Sequence, residues 1–203
     1  MKIYIYGKIV HVNTNYLILE HHGQGDLIYV PNIQRFKKDE NKKIFISNFI
    51  NEYNKVTYGF ENFKELVIFE DLIMLQGLGP KTAISILNAG WELVLNYIAE
   101  GNSEALANIP YVSTKIANNI IFAYKEKYNK FLAKMDNEDM TKIKEKNTKN
   151  SLISKFEETM KMLGFKNQQI SYAMSKMQIS ENIEQSVEEA IKLISQRANE
   201  TRV

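Results

Sequence analysis

The chain contains no cysteine, which excludes a disulfide framework, thiolate zinc sites and cysteine-held iron–sulfur clusters. It has no apolar run long enough for a signal peptide or a membrane span. Secretion and anchoring are therefore not indicated, and a reducing, cytoplasmic setting is expected. Neither a Gly-x-x-x-x-Gly-Lys-Ser/Thr phosphate loop nor a nucleophile–base pair is visible, so the chain is not expected to hydrolyse ATP or to need a cofactor. A metal site is not expected either. His21 and His22 lie near Glu20 and Asp26, but neighbours on a strand face opposite ways and no third ligand has a suitable spacing. Glu70 and Asp71 diverge in the same manner on a helix, which argues for a solvated charge rather than a catalytic carboxylate pair. Charge of one sign is also scarce in excess, with a formal net charge of +2 over 203 residues. The basic surplus sits in residues 1–64, which hold nine basic and six acidic side chains, so a preference for polyanions leans toward the N-terminal third.

What is present suffices to bury cores: 44% of residues are hydrophobic and 11% aromatic. Residues 1–62 alternate at strand spacing through Ile3, Ile5 and Ile9, Tyr16–Leu19, Leu27–Val30 and Lys43–Ile46, with a last strand near Lys55–Phe60 and Gly- or Asn-rich turns between. Five short antiparallel strands suggest a small barrel of the oligonucleotide-binding type. From residue 63 the period turns helical, and residues 63–130 read as all-α. Residues 131–150, rich in Lys, Asn and acidic side chains with no sustained apolar period, read as a flexible linker. Residues 151–203 give three amphipathic helices through Phe156/Met160/Leu163, Ile170/Met174/Met177 and Val187/Ile191/Ile194. The expected fold class is thus multidomain α+β: an N-terminal five-stranded barrel, an all-α middle and a C-terminal three-helix bundle.

The chemistry lies in a repeat. Leu72–Ala83 aligns with Leu106–Ala117 at an offset of 34 residues, and the apolar positions, the lysine and the alanine coincide. In the first copy Gly77 and Gly79 allow a tight hairpin, Leu78 between them can plug the core, and Pro80 suits the first turn of the following helix. The helix N-terminus then offers unpaired N–H groups and a positive dipole end to a phosphate, with Lys81 as a point charge beside it. Such a contact reads the DNA backbone and carries no base sequence. A lone Gly-x-Gly could be no more than a helix C-cap and turn; its recurrence points to paired helix-hairpin-helix units. In the second copy Tyr111 and Ser113 replace the glycines, Ser113 can cap the helix and Lys115 persists. Weaker phosphate binding is expected there. The candidate DNA-binding residues are Gly77, Leu78, Gly79, Lys81 and Thr82 in the first copy and Val112, Ser113 and Lys115 in the second.

The order and spacing of these segments resemble the RuvA family of Holliday-junction branch-migration subunits over essentially the whole chain. The resemblance rests on Gly23-x-Gly25, Val30-Pro31, Tyr58-Gly59-Phe60, the twin hairpins, the linker and a tail with Leu163-Gly164-Phe165. It implies a homotetramer, and with a second tetramer an octamer, that holds a four-way DNA junction open in recombination and repair. Its tail would dock on the RuvB motor through an apolar surface matched here by Met160, Leu163 and Phe165. It also implies a pin of adjacent acidic residues at the tetramer centre, repelling phosphates. The matching pair is Glu52-Tyr53, so one carboxylate of the pair is missing, and Asp26 stands where the family carries an aromatic.

Other readings use the same hairpins, the first a general, non-sequence-specific DNA-binding protein with a weakened or absent role in branch migration. Base-excision glycosylases carry helix-hairpin-helix motifs but need a catalytic carboxylate and a pocket for an extruded base, and a 34-residue repeat behind a strand-rich barrel fits them poorly. A protein-interaction scaffold would bind with little sensitivity to salt, whereas backbone recognition weakens steeply as salt rises.

Overall fold

A computed structural model describes residues 2–50, 55–134, 137–180 and 182–200. The chain separates into two compact units, Met1–Asp136 and Asn137–Val203.

The first unit opens with β1 (Tyr4–Val12), β2 (Tyr16–His21), β3 (Gln24–Tyr29), β4 (Asn41–Ile50) and β5 (Lys55–Phe60), closed into a barrel in the order β1-β2-β3-β5-β4. Alternation sends Ile5, Ile9, Leu17, Leu19, Ile28, Ile44 and Ile46 to the interior, where they pack with Val30 and Phe36. The strands are not all antiparallel, as the sequence pattern suggests. The β3–β5 pairing, with Ile28 opposite Thr57 and Tyr29 opposite Tyr58, is parallel, while the other pairings are antiparallel. Alternation shows which face is buried but not which strand lies alongside, so the parallel closure was not readable from it. At Gly59 of β5 a side chain would collide with the inward-facing Ile28 and Ile44, so the barrel wall takes a glycine there.

Five helices follow: α1 (Phe63–Ile73), α2 (Pro80–Leu87), α3 (Trp91–Glu100), α4 (Ser103–Ala107) and α5 (Thr114–Ala133). Their apolar faces share one cluster with the end of β5, since Phe69 lies 4.8 Å from Phe60 and 5.1 Å from Tyr58, centroid to centroid. A charged seam reinforces this junction. Arg35, on the turn between β3 and β4, donates to Glu65 of α1 at 2.9 Å and pairs with Glu61 at 3.3 Å; Lys42 of β4 reaches Glu61 at 2.8 Å. The Glu65 side chain has 0% exposure, and its burial raises the carboxyl above the usual range against the pull of Arg35. Asn62 caps α1 by accepting from the Glu65 N–H at 2.8 Å.

The second unit holds α6 (Asn137–Met162), α7 (Asn167–Lys176) and α8 (Ile183–Glu200) around Phe156, Met160, Ile170, Ala173, Val187, Ala190 and Ile194. Gly164, at φ +86°, ends α6: Phe165 N–H bonds to Met160 O at 3.1 Å and Gly164 N–H to Lys161 O at 2.9 Å. Where 131–150 was expected to be a linker, α5 continues to Ala133 and α6 begins at Asn137. The stretch has no glycine or proline to break a helix, and its Lys, Glu and Met residues favour one, so a helix forms without an apolar stripe of its own.

Candidate nucleic-acid interface

The α1–α2 and α4–α5 connections are built alike, position for position at the 34-residue offset. Leu75 N–H bonds to Leu72 O and Leu78 N–H to Leu75 O, both at 3.1 Å; Ile109 N–H bonds to Leu106 O and Val112 N–H to Ile109 O, also at 3.1 Å. The first full helical bond repeats as well, from Ala83 N–H to Gly79 O at 3.1 Å and from Ala117 N–H to Ser113 O at 2.9 Å. Gly77 turns the first hairpin at φ +85° and Tyr111 turns the second at φ +69°. The substitution of tyrosine for glycine therefore leaves the hairpin intact, at the strain of a left-handed non-glycine residue. Beneath each tip, Leu78 and Val112 are buried in the helical core. Their side chains and amides are engaged inside the hairpins, so both shape the loops rather than face a ligand.

The two helix entries share a backbone shape and differ in their caps. Gly79 precedes α2 at φ −86° and ψ 167°, and Ser113 precedes α5 at φ −79° and ψ 159°. Gly79 offers no side-chain cap, so the first-turn N–H groups of Lys81 and Thr82 have no acceptor within the helix. At α5 the Ser113 hydroxyl accepts from the Ile116 N–H at 3.3 Å, occupying one donor of the equivalent set. Lys81 and Lys115 are both exposed in the first turn of their helices.

Two polar links hold the hairpins in a fixed relation. Asp71 of α1 receives Tyr128 Oη at 2.7 Å and Lys127 Nζ at 2.6 Å, both from α5, while Tyr124 Oη donates to the Asp71 carbonyl at 2.5 Å. On the other side, Ser85 Oγ of α2 donates to the carbonyl of Pro110 in the second hairpin at 3.0 Å. Burial and the Asp71 carboxylate together hold the Tyr128 hydroxyl well above the usual tyrosine range.

Residues 1–59 match the family model described as RuvA N terminal domain, and residues 69–126 match that of the SAM-like helix-hairpin-helix tandem. The chain is 65% identical over 201 residues to the Holliday junction branch migration complex subunit RuvA of Metamycoplasma arthritidis, covering 99% of this chain and 98% of that protein. The chain belongs to the RuvA family. Its likeness to the RuvA of Mesomycoplasma hyopneumoniae is 47% over 96% of this chain and 97% of that protein, and to the RuvA of Halalkalibacterium halodurans 30% over 86% and 89%.

Within this RuvA-family chain the expected site residues fall into separate groups. Gly77, Gly79, Lys81 and Thr82 gather at the entry of α2, and Ser113 and Lys115 at the entry of α5. Glu52 lies outside the described residues. In the second unit Met160 has 0% exposure and is core, so it cannot offer a docking surface without unfolding; Leu163 is 55% exposed, and Phe165 is half-buried against the core rather than free. His21 spends its ring on Asp26, Nε2 to Oδ2 at 2.6 Å, and among the described residues no cluster of three His, Cys, Asp or Glu could hold a metal. The Asp71 link lies outside the sequence expectation, which takes Glu70 and Asp71 as diverging neighbours, one of them a solvated charge, and looks for no partner on α5. Its partners Tyr124 and Tyr128, four apart on one helix face, were the available signal. Among the described residues no helix is long and apolar enough to cross a membrane.

Proposed function

We propose that this chain is the non-catalytic DNA-binding subunit of a branch-migration complex, gripping four-way junctions by their sugar-phosphate backbone in recombination and repair. The observation that carries this reading is the pair of hairpins with matching backbone hydrogen bonds, each leading into an exposed helix N-terminus with a lysine in its first turn. Two backbone clamps of fixed separation suit a DNA arm approached across one groove, and their contacts are sequence-independent. Gly77, Gly79, Lys81 and Thr82 form the stronger clamp and Ser113 and Lys115 the weaker, with Leu78 and Val112 supporting them from within. Four copies arranged about a four-fold axis would present one pair of clamps to each arm, with Glu52 toward the crossover. The second unit, through Leu163 and Phe165, would engage the ATP-driven RuvB motor, and the complex would work in the cytoplasm. The barrel of residues 1–62, the hairpins of 63–130 and the tail of 151–203 take these roles in turn.

Mobility shifts on a four-way junction and on linear duplex of equal length test the reading. Tighter binding to the junction, weakening steeply with salt, is expected. Equal affinity for the two substrates would defeat it.

A further inference from the structure

Tyr111 is a costly residue for the fold. It sits at φ +69° in a position whose repeat partner is Gly77 at φ +85°, so the backbone requires a conformation that glycine adopts freely and tyrosine does not. The side chain gives nothing back to the protein: it is 83% exposed, and among the described residues it makes no ring contact and no side-chain hydrogen bond. Its backbone is nevertheless held firmly. The preceding Pro110 carbonyl is pinned by Ser85 Oγ at 3.0 Å, and the following Val112 is buried in the helical core. The ring is therefore presented to solvent from a fixed point at the tip of the second hairpin. Beyond Val112 the chain reaches Ser113 and Lys115 at the entry of α5. Strain without internal compensation, at the edge of a binding surface, is the pattern of a residue kept for a ligand.

We propose that Tyr111 is a DNA-contacting residue whose ring lies against the deoxyribose wall of the groove beside the phosphate held at the α5 N-terminus. This rests on the junction-binding reading and deepens it. The second hairpin has one fewer free amide than the first, because Ser113 occupies the Ile116 N–H. An apolar ring contact there replaces electrostatic grip with a contact largely indifferent to salt, whereas each lysine–phosphate contact weakens as salt rises.

The test uses the full-length chain and a synthetic four-way junction at several salt concentrations, with Tyr111→Gly, Tyr111→Asn, Tyr111→Phe and Lys115→Ala. Removing the ring should relieve the backbone, so Tyr111→Gly melts at a higher temperature than the parent, yet binds the junction roughly fivefold more weakly. The Gly and Asn variants should keep the parent's slope of log affinity against log salt, Phe should bind as the parent does, and Lys115→Ala should flatten the slope. A Gly variant that is more stable and binds equally well or better overturns the assignment, as does a Phe variant that binds as weakly as Gly. Sedimentation of the DNA-free proteins covers the other occupant, since a smaller assembly for Tyr111→Gly than for the parent would mean that the ring meets a second copy of the chain. If the parent itself fails to prefer the junction, the junction-binding reading falls and this assignment falls with it; loss confined to the variants' comparison leaves that reading standing.

Discussion

Tyr128 Oη of α5 donates to Asp71 Oδ2 of α1 at 2.7 Å, joining the first helix of one hairpin unit to the last helix of the other. The link spans 57 residues of sequence, and Lys127 and Tyr124 close around the same residue. Because Tyr128 is buried, its hydroxyl has no alternative partner in water. Losing the acceptor therefore costs more than losing the donor.

That asymmetry sets the first expectation. Asp71→Ala should destabilise the first unit by about 2 kcal/mol and Tyr128→Phe by about 1 kcal/mol, measured as urea midpoints. The pH dependence has a definite sign. The folded Tyr128 hydroxyl is held above its unfolded value of about 10, so its contribution is intact below pH 10 and declines as pH rises beyond it. Tyr128→Phe should lose part of this alkaline decline. An unchanged alkaline limb would show that the Tyr128 hydroxyl is not held above its unfolded value.

Asp71 also shows where sequence reasoning ends. Period-2 and period-3.6 patterns were enough to place barrel, helices and tail, because burial imposes those periods on any element with one dry face. The 34-residue repeat gave the twin hairpins for the same reason: identical loops need apolar plugs at identical places, Leu78 and Val112 among them. Partners distant in sequence leave no period. Hence the parallel β3–β5 closure and the Asp71 link stayed hidden, and α6 escaped notice over 137–150 because a polar helix has no stripe. Met160 illustrates the opposite error: family resemblance offered it as a surface, while its own spacing with Phe156 marked it as core.

Arg35 and Glu65 supply a second expectation. Arg35→Leu would leave the buried Glu65 carboxylate without its guanidinium, and the first unit should lose ~3 kcal/mol at neutral pH. Glu65 already has a folded pKa raised by burial, and removing Arg35 raises it further. A raised carboxyl binds its proton more tightly when folded, so the defect should shrink as pH falls toward the unfolded value near 4.5. Urea midpoints at pH 7 and pH 5 decide it, and a defect that grows on acidification would refute the assignment.

The two glycines of the first hairpin should fail differently. Gly77 has a positive φ, so Gly77→Ala should cost about 1 kcal/mol of stability. Gly79 has an ordinary φ and nothing within 4 Å of an added Cβ, so Gly79→Ala should leave stability unchanged or slightly raised. Its penalty should appear in junction binding, because the methyl group would fill open space at the α2 entry that an approaching phosphate needs. A Gly79→Ala variant that binds the junction normally would show that no phosphate approaches there.

Lys81 and Lys115 rank in the same order. The entry of α2 keeps the Thr82 N–H free, whereas Ser113 takes the matching Ile116 N–H, so a phosphate at Lys81 gains more donors. Lys81→Ala should weaken junction binding more than Lys115→Ala, and each should lower the salt slope by about 1. Greater damage at Lys115 would reverse the assignment of the stronger clamp.

The second unit separates packing from recognition at neighbouring positions. Met160 is fully buried in a small core, so Met160→Ala should cost ~3 kcal/mol and unfold a three-helix unit with little stability to spare. Leu163, one turn on and exposed, makes no such contribution, and Leu163→Asp should leave the circular dichroism of the chain unchanged. Stimulation of the RuvB motor on a junction is the deciding measurement. Leu163→Asp should lower it while junction binding persists, as should deletion of residues 151–203, because the hairpins belong to the first unit with cores of their own. Loss of junction binding on that deletion would mean the tail shapes the DNA-binding surface, and undiminished stimulation by Leu163→Asp would move the motor contact elsewhere on the three helices.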